Sequence, residues 1–120
     1  MKLSGVMLGS ENSRVLGEFY TKVLGKQGWQ EGDWYGFNVG DGNLMIGSHS
    51  EVKGKSNMPG RVMMTFETDD VKNEFKRIKD LGAEVIAEPY LPMKESEESW
   101  LATFADPDSN YFQLATPWKD

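Results

Sequence analysis

Cysteine is absent from the 120 residues, and histidine occurs once. Without thiols there is no disulfide framework, thiolate zinc site, iron–sulfur cluster or cysteine nucleophile. Long apolar runs are also missing. No window approaches the ~20 apolar residues of a membrane span, and Met1-Lys2-Leu3-Ser4-Gly5 does not read as a leader, so a cytoplasmic protein without a membrane partner is expected. Basic charge is scarce: 13 Lys and Arg face 19 Asp and Glu, for a net charge of -6. Such a surface repels a phosphate backbone at long range, so nucleic acid is not an expected partner, and a neutral or cationic small molecule is easier to accommodate. There is no nucleophile elbow, no HExxH and no glycine-rich phosphate loop ending in Lys.

What remains is 38% hydrophobic and 12% aromatic, enough for a core in a single domain. Leu16, Phe19, Tyr20 and Val23 recur at helical spacing and predict a helix over Ser13–Leu24, begun by Asn12 or Ser13 and ended by Gly25. Val71, Phe75, Ile78 and Leu81 predict a second over 71–81, begun by Asp69 or Asp70 and ended by Gly82. Strands are expected at 3–9, 35–39 and 44–48 around the first helix, and at 61–68, 83–88, 100–104 and 111–116 around the second. Gly40-Asp41-Gly42-Asn43 and Asp106-Pro107-Asp108-Ser109-Asn110 read as turns, so the paired aspartates are assigned to backbone hydrogen bonding rather than acid–base chemistry. Residues 51–60 read as a linker between two modules, about 1–50 and 61–118. Glu18-Phe19 with Leu24-Gly25 recurs as Glu74-Phe75 with Leu81-Gly82, so the halves look duplicated.

Phe19-Tyr20-Thr21-Lys22-Val23-Leu24-Gly25, Thr68-Asp69-Asp70-Val71, Leu81-Gly82-Ala83-Glu84-Val85 and the segment from Asp106 to Leu114 together resemble the signatures of the vicinal oxygen chelate superfamily. That group includes glyoxalase I, bleomycin-resistance proteins and extradiol dioxygenases. The resemblance implies an α+β fold of two βαβββ modules, forming a curved, U-shaped mixed sheet with helices outside and a ligand groove within, commonly in a homodimer. Strand alternation then turns Val6, Leu8, Leu44, Ile46, Met64, Phe66, Phe112 and Leu114 towards the helices. Gly5, Met7, Gly9, Met45, Gly47, His49, Met63, Thr65, Tyr111, Gln113 and Ala115 take the opposite, ligand-side face.

Enzymes of this superfamily generally hold one divalent metal, with His or Glu ligands (Gln in some) from the first and last strand of each module. The resemblance carries those positions onto Gly5, Met45, Met63 and Gln113. Glycine offers no donor, thioethers prefer soft ions and one amide oxygen does not anchor a hard cation, so no cofactor is expected. An unconventional divalent-metal set of His49, Glu67 and Gln113 would instead imply a glyoxalase-type lyase or a dioxygenase, although Glu67, like Glu11, lies beyond the aligned positions. No catalytic residue is assigned. The expected ligand-binding residues are Met7, Trp34, Met45, Met63, Thr65, Trp100, Tyr111 and Gln113, with Trp34 and Trp100 able to stack on a planar or cationic compound. The polar stretch 89–99 reads as a loop with the length of a lid. The function expected is metal-free binding of a small molecule.

Overall fold

The computed structural model describes residues 1–93 and 97–117. It divides into two compact units, Met1–Lys55 and the remainder from Ser56. The first contains β1 (Gly5–Ser10), α1 (Ser13–Leu24), β2 (Trp29–Glu31), β3 (Trp34–Val39) and β4 (Gly42–Ser48). The second contains β5 (Met64–Glu67), α2 (Val71–Asp80), β6 (Glu84–Tyr90), β7 (Leu101–Ala105) and β8 (Tyr111–Ala115). Each is a βαβββ module with a four-stranded mixed sheet, ordered β1-β4-β3-β2 in one and β5-β8-β7-β6 in the other. In both, the first strand runs parallel to the last, and the remaining neighbours are antiparallel. No helix among the described residues is long and apolar enough to cross a membrane.

Helix α1 buries Leu16, Tyr20 and Val23 of the stripe that its sequence spacing predicts; Phe19 is only half-buried, and Gly17 joins the buried face instead. Gly17 allows an unusually close approach: a Cβ there would lie 2.4 Å from the ring of Tyr35, so the helix backbone rests on that ring. Tyr35, Phe37, Leu44 and Ile46 complete this core. Burying each such side chain contributes about 1.5–3 kcal/mol. Asn12 begins the helix without a side-chain cap, and its own N–H donates to Ser10 Oγ at 3.0 Å. Gly25 ends it in the left-handed conformation, with φ of 68°.

Helix α2 places Val71, Phe75 and Ile78 on its sheet. Its N-cap Asp70 accepts a hydrogen bond from the Asn73 N–H at 3.2 Å. Below it, aromatic rings form a continuous chain: Phe75 stacks on Phe104 at 5.1 Å and Phe104 on Phe112 at 5.6 Å, and Phe112 meets Phe66 edge to face at 5.9 Å between centroids. Each contact adds to simple burial through favourable ring geometry.

Several boundaries differ from the sequence reading. Strand β2 was not expected, because all three of its residues are exposed and leave no alternation to detect. β1 starts at Gly5 rather than residue 3 and ends at Ser10. β5 is shorter than 61–68, which leaves Met63 just outside it. β6 continues through Pro89 to Tyr90, two residues into the expected loop. A proline is tolerated there because β6 is an edge strand with one side unpaired. Trp100 precedes β7 rather than opening it, and Leu81 is exposed beyond the end of α2 instead of joining its buried stripe. Val6, expected against the helix, is 37% exposed on its edge strand.

The second turn is built by Asp106. Its carboxylate accepts the Asp108 and Asn110 backbone N–H groups, both at 2.9 Å, and the Asn110 side-chain amide at 3.0 Å. Both oxygens are thereby committed to the turn. Ser109 within it takes a left-handed φ of 63°.

Candidate functional site

In the second unit, Phe66, Phe112, Leu114 and Phe104 occupy one face of the sheet with the core. Alternation then turns Thr65, Glu67, Gln113, Ala115 and Leu101 to the helix-free face. The ladder agrees: Thr65 is the direct partner of Gln113, and Glu67 of Ala115, which in turn faces Leu101. The Gln113 Nε2 donates to Thr65 Oγ1 at 2.8 Å, fixing both side chains.

Above this face lies a cavity of about 710 Å³, within the range of small-molecule sites. Its floor is Thr65, Glu67, Leu101 and Ala115; its walls are Pro92, Met93, Glu98, Ser99 and Trp100 from the segment before β7, with Thr116 and Pro117 after β8. Thr116 fastens that wall. Its hydroxyl accepts the Trp100 N–H at 2.9 Å and donates to the Glu98 carbonyl at 3.2 Å, while its own N–H donates to the Trp100 carbonyl at 3.1 Å. The Lys72 ammonium of α2 sits 3.9 Å from the centre of the Trp100 ring. Among the described residues lining the cavity there are two carboxylates, Glu67 and Glu98, and no Lys or Arg.

In the first unit the helix-free face carries a different surface. Met7 is the ladder partner of Met45, Met45 of Gly36 and Gly36 of Trp29, giving one row across all four strands. In the neighbouring row Gly9 partners Gly47, and Trp34 lies flat on Gly47: a Cβ there would fall 2.3 Å from the indole.

These positions sort the sequence-derived residues. Thr65 and Trp100 meet in the cavity, and Gln113 touches Thr65. Met7 and Met45 adjoin each other in the first unit, one row from Trp34. Tyr111 lines a separate hollow with Met58, Pro59, Gly60 and Arg61 rather than the main cavity. Met63, just before β5, does not line the main cavity either. Sequence reading did not select Met93, Glu98, Leu101 or Thr116 for the site, since only strand pairing and the placement of residues 92–93 and 98–100 bring them to it. Of the expected loop, residues 94–96 lie outside the described residues, as does Trp118.

The positions carried over from metalloenzymes do not fit a hard divalent ion. At Gly5 a Cβ would stand 2.4 Å from the Asn43 carbonyl oxygen, so the strand has no room for a ligand side chain. Shifting the register does not help within either sheet. The first-to-last-strand pairs on the helix-free faces are Gly5 with Asn43, Met7 with Met45, Gly9 with Gly47, Thr65 with Gln113 and Glu67 with Ala115. Only one of these ten residues is a carboxylate, and none is a histidine. His49 Nδ1 accepts the Glu51 N–H at 3.2 Å, and among the described residues no cluster of three or more His, Cys, Asp or Glu forms a metal set.

The sequence matches the glyoxalase-like domain family over residues 5–115. Similar solved structures span the chain almost fully. A glyoxalase/bleomycin resistance protein/dioxygenase family enzyme from Burkholderia phytofirmans PsJN is 20% identical, with a TM-score of 0.75 over 97% of this chain and 98% of that one. A glyoxalase-related enzyme from Fulvimarina pelagi is 14% identical, with a TM-score of 0.76 over 97% of this chain and 88% of that one. TioX from Micromonospora sp. ML1 is 15% identical, with a TM-score of 0.73 over 97% and 98% of the two chains. No curated protein matches the sequence.

Proposed function

Because this chain belongs to the glyoxalase-like domain family of the vicinal oxygen chelate superfamily, we propose that it is a metal-free binding protein for a small organic molecule, in the manner of the bleomycin-resistance branch. The ligand lies in the second-unit cavity, against Trp100 and Leu101 with Glu67 and Glu98 beside it. The observation that carries this reading is the cavity's composition: an indole, a thioether and prolines supply apolar contact, and two carboxylates without a lining base set the sign of the charge. A planar organic cation satisfies both, since it gains dispersion and stacking on the aromatic wall and ion pairing at the acidic one. Glu67 has no side-chain partner among the described residues and is available for that pairing. The positions that metal ligands would occupy hold glycine, methionine and a hydrogen-bonded glutamine, which supports binding without a metal. A homodimer, common in the superfamily, and a cytoplasmic location belong to the same proposal.

The test uses N-methylacridinium as a planar cationic probe and acridine, unprotonated at pH 8, as its uncharged planar counterpart. The cation is expected to raise the melting temperature and quench tryptophan fluorescence saturably, as a ligand of the folded state must. Trp100→Ala and Glu67→Gln are each expected to weaken it about tenfold. Equal response to the uncharged counterpart, or no response to either at saturation, contradicts the reading. Elemental content is measured on the same preparation; a stoichiometric divalent ion, removed by chelator together with turnover, would point to a lyase or dioxygenase.

A further inference from the structure

The first unit has a groove of its own, of about 570 Å³, between residues 26–29 and the ends of β3 and β4. We infer that it is a second small-molecule site, one that takes a planar aromatic carboxylate.

The shape comes from a missing side chain. Gly36 lies directly across from Trp29 and Met45 in the ladder. A Cβ on it would stand 2.9 Å from the Met45 sulfur and 3.5 Å from the Trp29 ring, so the bare backbone leaves a shallow floor with an indole on one side and a thioether on the other. Trp29 is 53% exposed on a three-residue edge strand, an unusual amount of indole to leave in water unless something stacks on it.

Polar groups mark one end of that floor. Asn38 and Asn43 are direct cross-strand partners on the same face as Gly36 and Met45. Asn43 uses one amide proton on the Ser4 carbonyl, at 3.1 Å. The carboxamides of Asn38 and Gln27 line the groove, have no partner among the described residues, and can turn their N–H groups to an accepting ligand beside the Lys26 ammonium. Lys26 donates to the Asn38 backbone carbonyl, which ties it to the rim and leaves ammonium protons for a ligand.

Charge decides the class of ligand. Although the chain carries -6, this groove is lined by a lysine and by no carboxylate. Amide donors and an ammonium recognise a group that only accepts, and a carboxylate on an aromatic ring places its charge there while the ring covers Trp29. The second-unit cavity has the opposite polarity, so the two sites sort ligands by sign.

The experiment records ¹H–¹⁵N spectra of the full chain during titration with 2-naphthoate and, separately, with N-methylacridinium. Naphthoate is expected to move the Trp29 indole and the Asn38 and Asn43 side-chain amide signals saturably and leave the Trp100 indole in place. Lys26→Gln and Asn38→Asp alter exposed side chains outside both cores and are each expected to weaken naphthoate about tenfold, and Gly36→Val, which fills the floor, is expected to abolish it. The inference is overturned if naphthoate fails to saturate, if it moves the Trp100 indole instead, or if Lys26→Gln and Asn38→Asp leave its affinity unchanged. Loss of the acridinium response at Trp100 contradicts the function proposed above without touching this site, so the two failures are distinguishable.

Discussion

Thr116 joins three hydrogen bonds that hold Trp100 and Glu98 at the cavity wall. Thr116→Val keeps its shape and removes the hydroxyl, leaving the Trp100 N–H and the Glu98 carbonyl without this partner. The groups are solvent-accessible, so the expected cost is about 0.5–1.5 kcal/mol of stability by urea denaturation, with several-fold weaker binding of the acridinium probe as the wall loosens. Lys72 acts on the same indole with the opposite sign. Its ammonium stabilises the ring's position but places a positive charge near a cationic ligand, so Lys72→Gln is expected to tighten acridinium binding about twofold to fivefold, more at low salt than at high. At Ser109 the left-handed φ of 63° disfavours a Cβ. Ser109→Gly is expected to raise stability by up to about 1 kcal/mol, the relief of strain being partly offset by a freer unfolded chain. Sequence alone singles out Trp34, Trp100 and Thr65 because aromatic and polar residues on strands are conspicuous. Thr116 and Glu98 carry no such mark; their roles arise from pairing β7 with β8.

The helices were legible in sequence because two faces of contrasting polarity leave a repeating signal. α1 occupies the expected Ser13–Leu24 and α2 ends one residue early at Asp80. Edge strands were less so. β2 lacks a buried face, and Pro89 looks like a strand end until the strand is known to have a free edge. Helix and sheet meet at Gly17, where composition would suggest that alanine is an improvement. Helix propensity favours Gly17→Ala by about 1 kcal/mol, but the added methyl meets the Tyr35 ring at 2.4 Å, and overpacking of that kind costs about 1–3 kcal/mol. The second term wins. Gly17→Ala is expected to destabilise the protein in denaturant unfolding, and stabilisation would show that α1 can move off the sheet.

At the scale of the chain, the repeat that showed faintly as Glu18-Phe19 and Glu74-Phe75 corresponds to two sheets of identical connectivity. The glyoxalase-like match covers both. Chemistry is not repeated with the fold. The helix-free face of one unit is a methionine, glycine and tryptophan surface with an amide-rich end; that of the other has a cavity with two carboxylates and Trp100. The family resemblance indicated the framework and directed attention to metal positions that glycine, methionine and glutamine occupy, while the wall of Pro92, Met93, Glu98, Ser99 and Trp100 is brought together only by the folded chain.

The proposed function places a planar cation in the second-unit cavity, on Trp100 and beside Glu67, with no metal. Titration calorimetry with N-methylacridinium on chelator-treated protein tests it most directly. Saturable binding of one cation per chain in that cavity is expected, unchanged by added divalent ions and weakened about tenfold in both Trp100→Ala and Glu67→Gln. Binding that appears only when a divalent ion is restored, or that survives both substitutions, would contradict it.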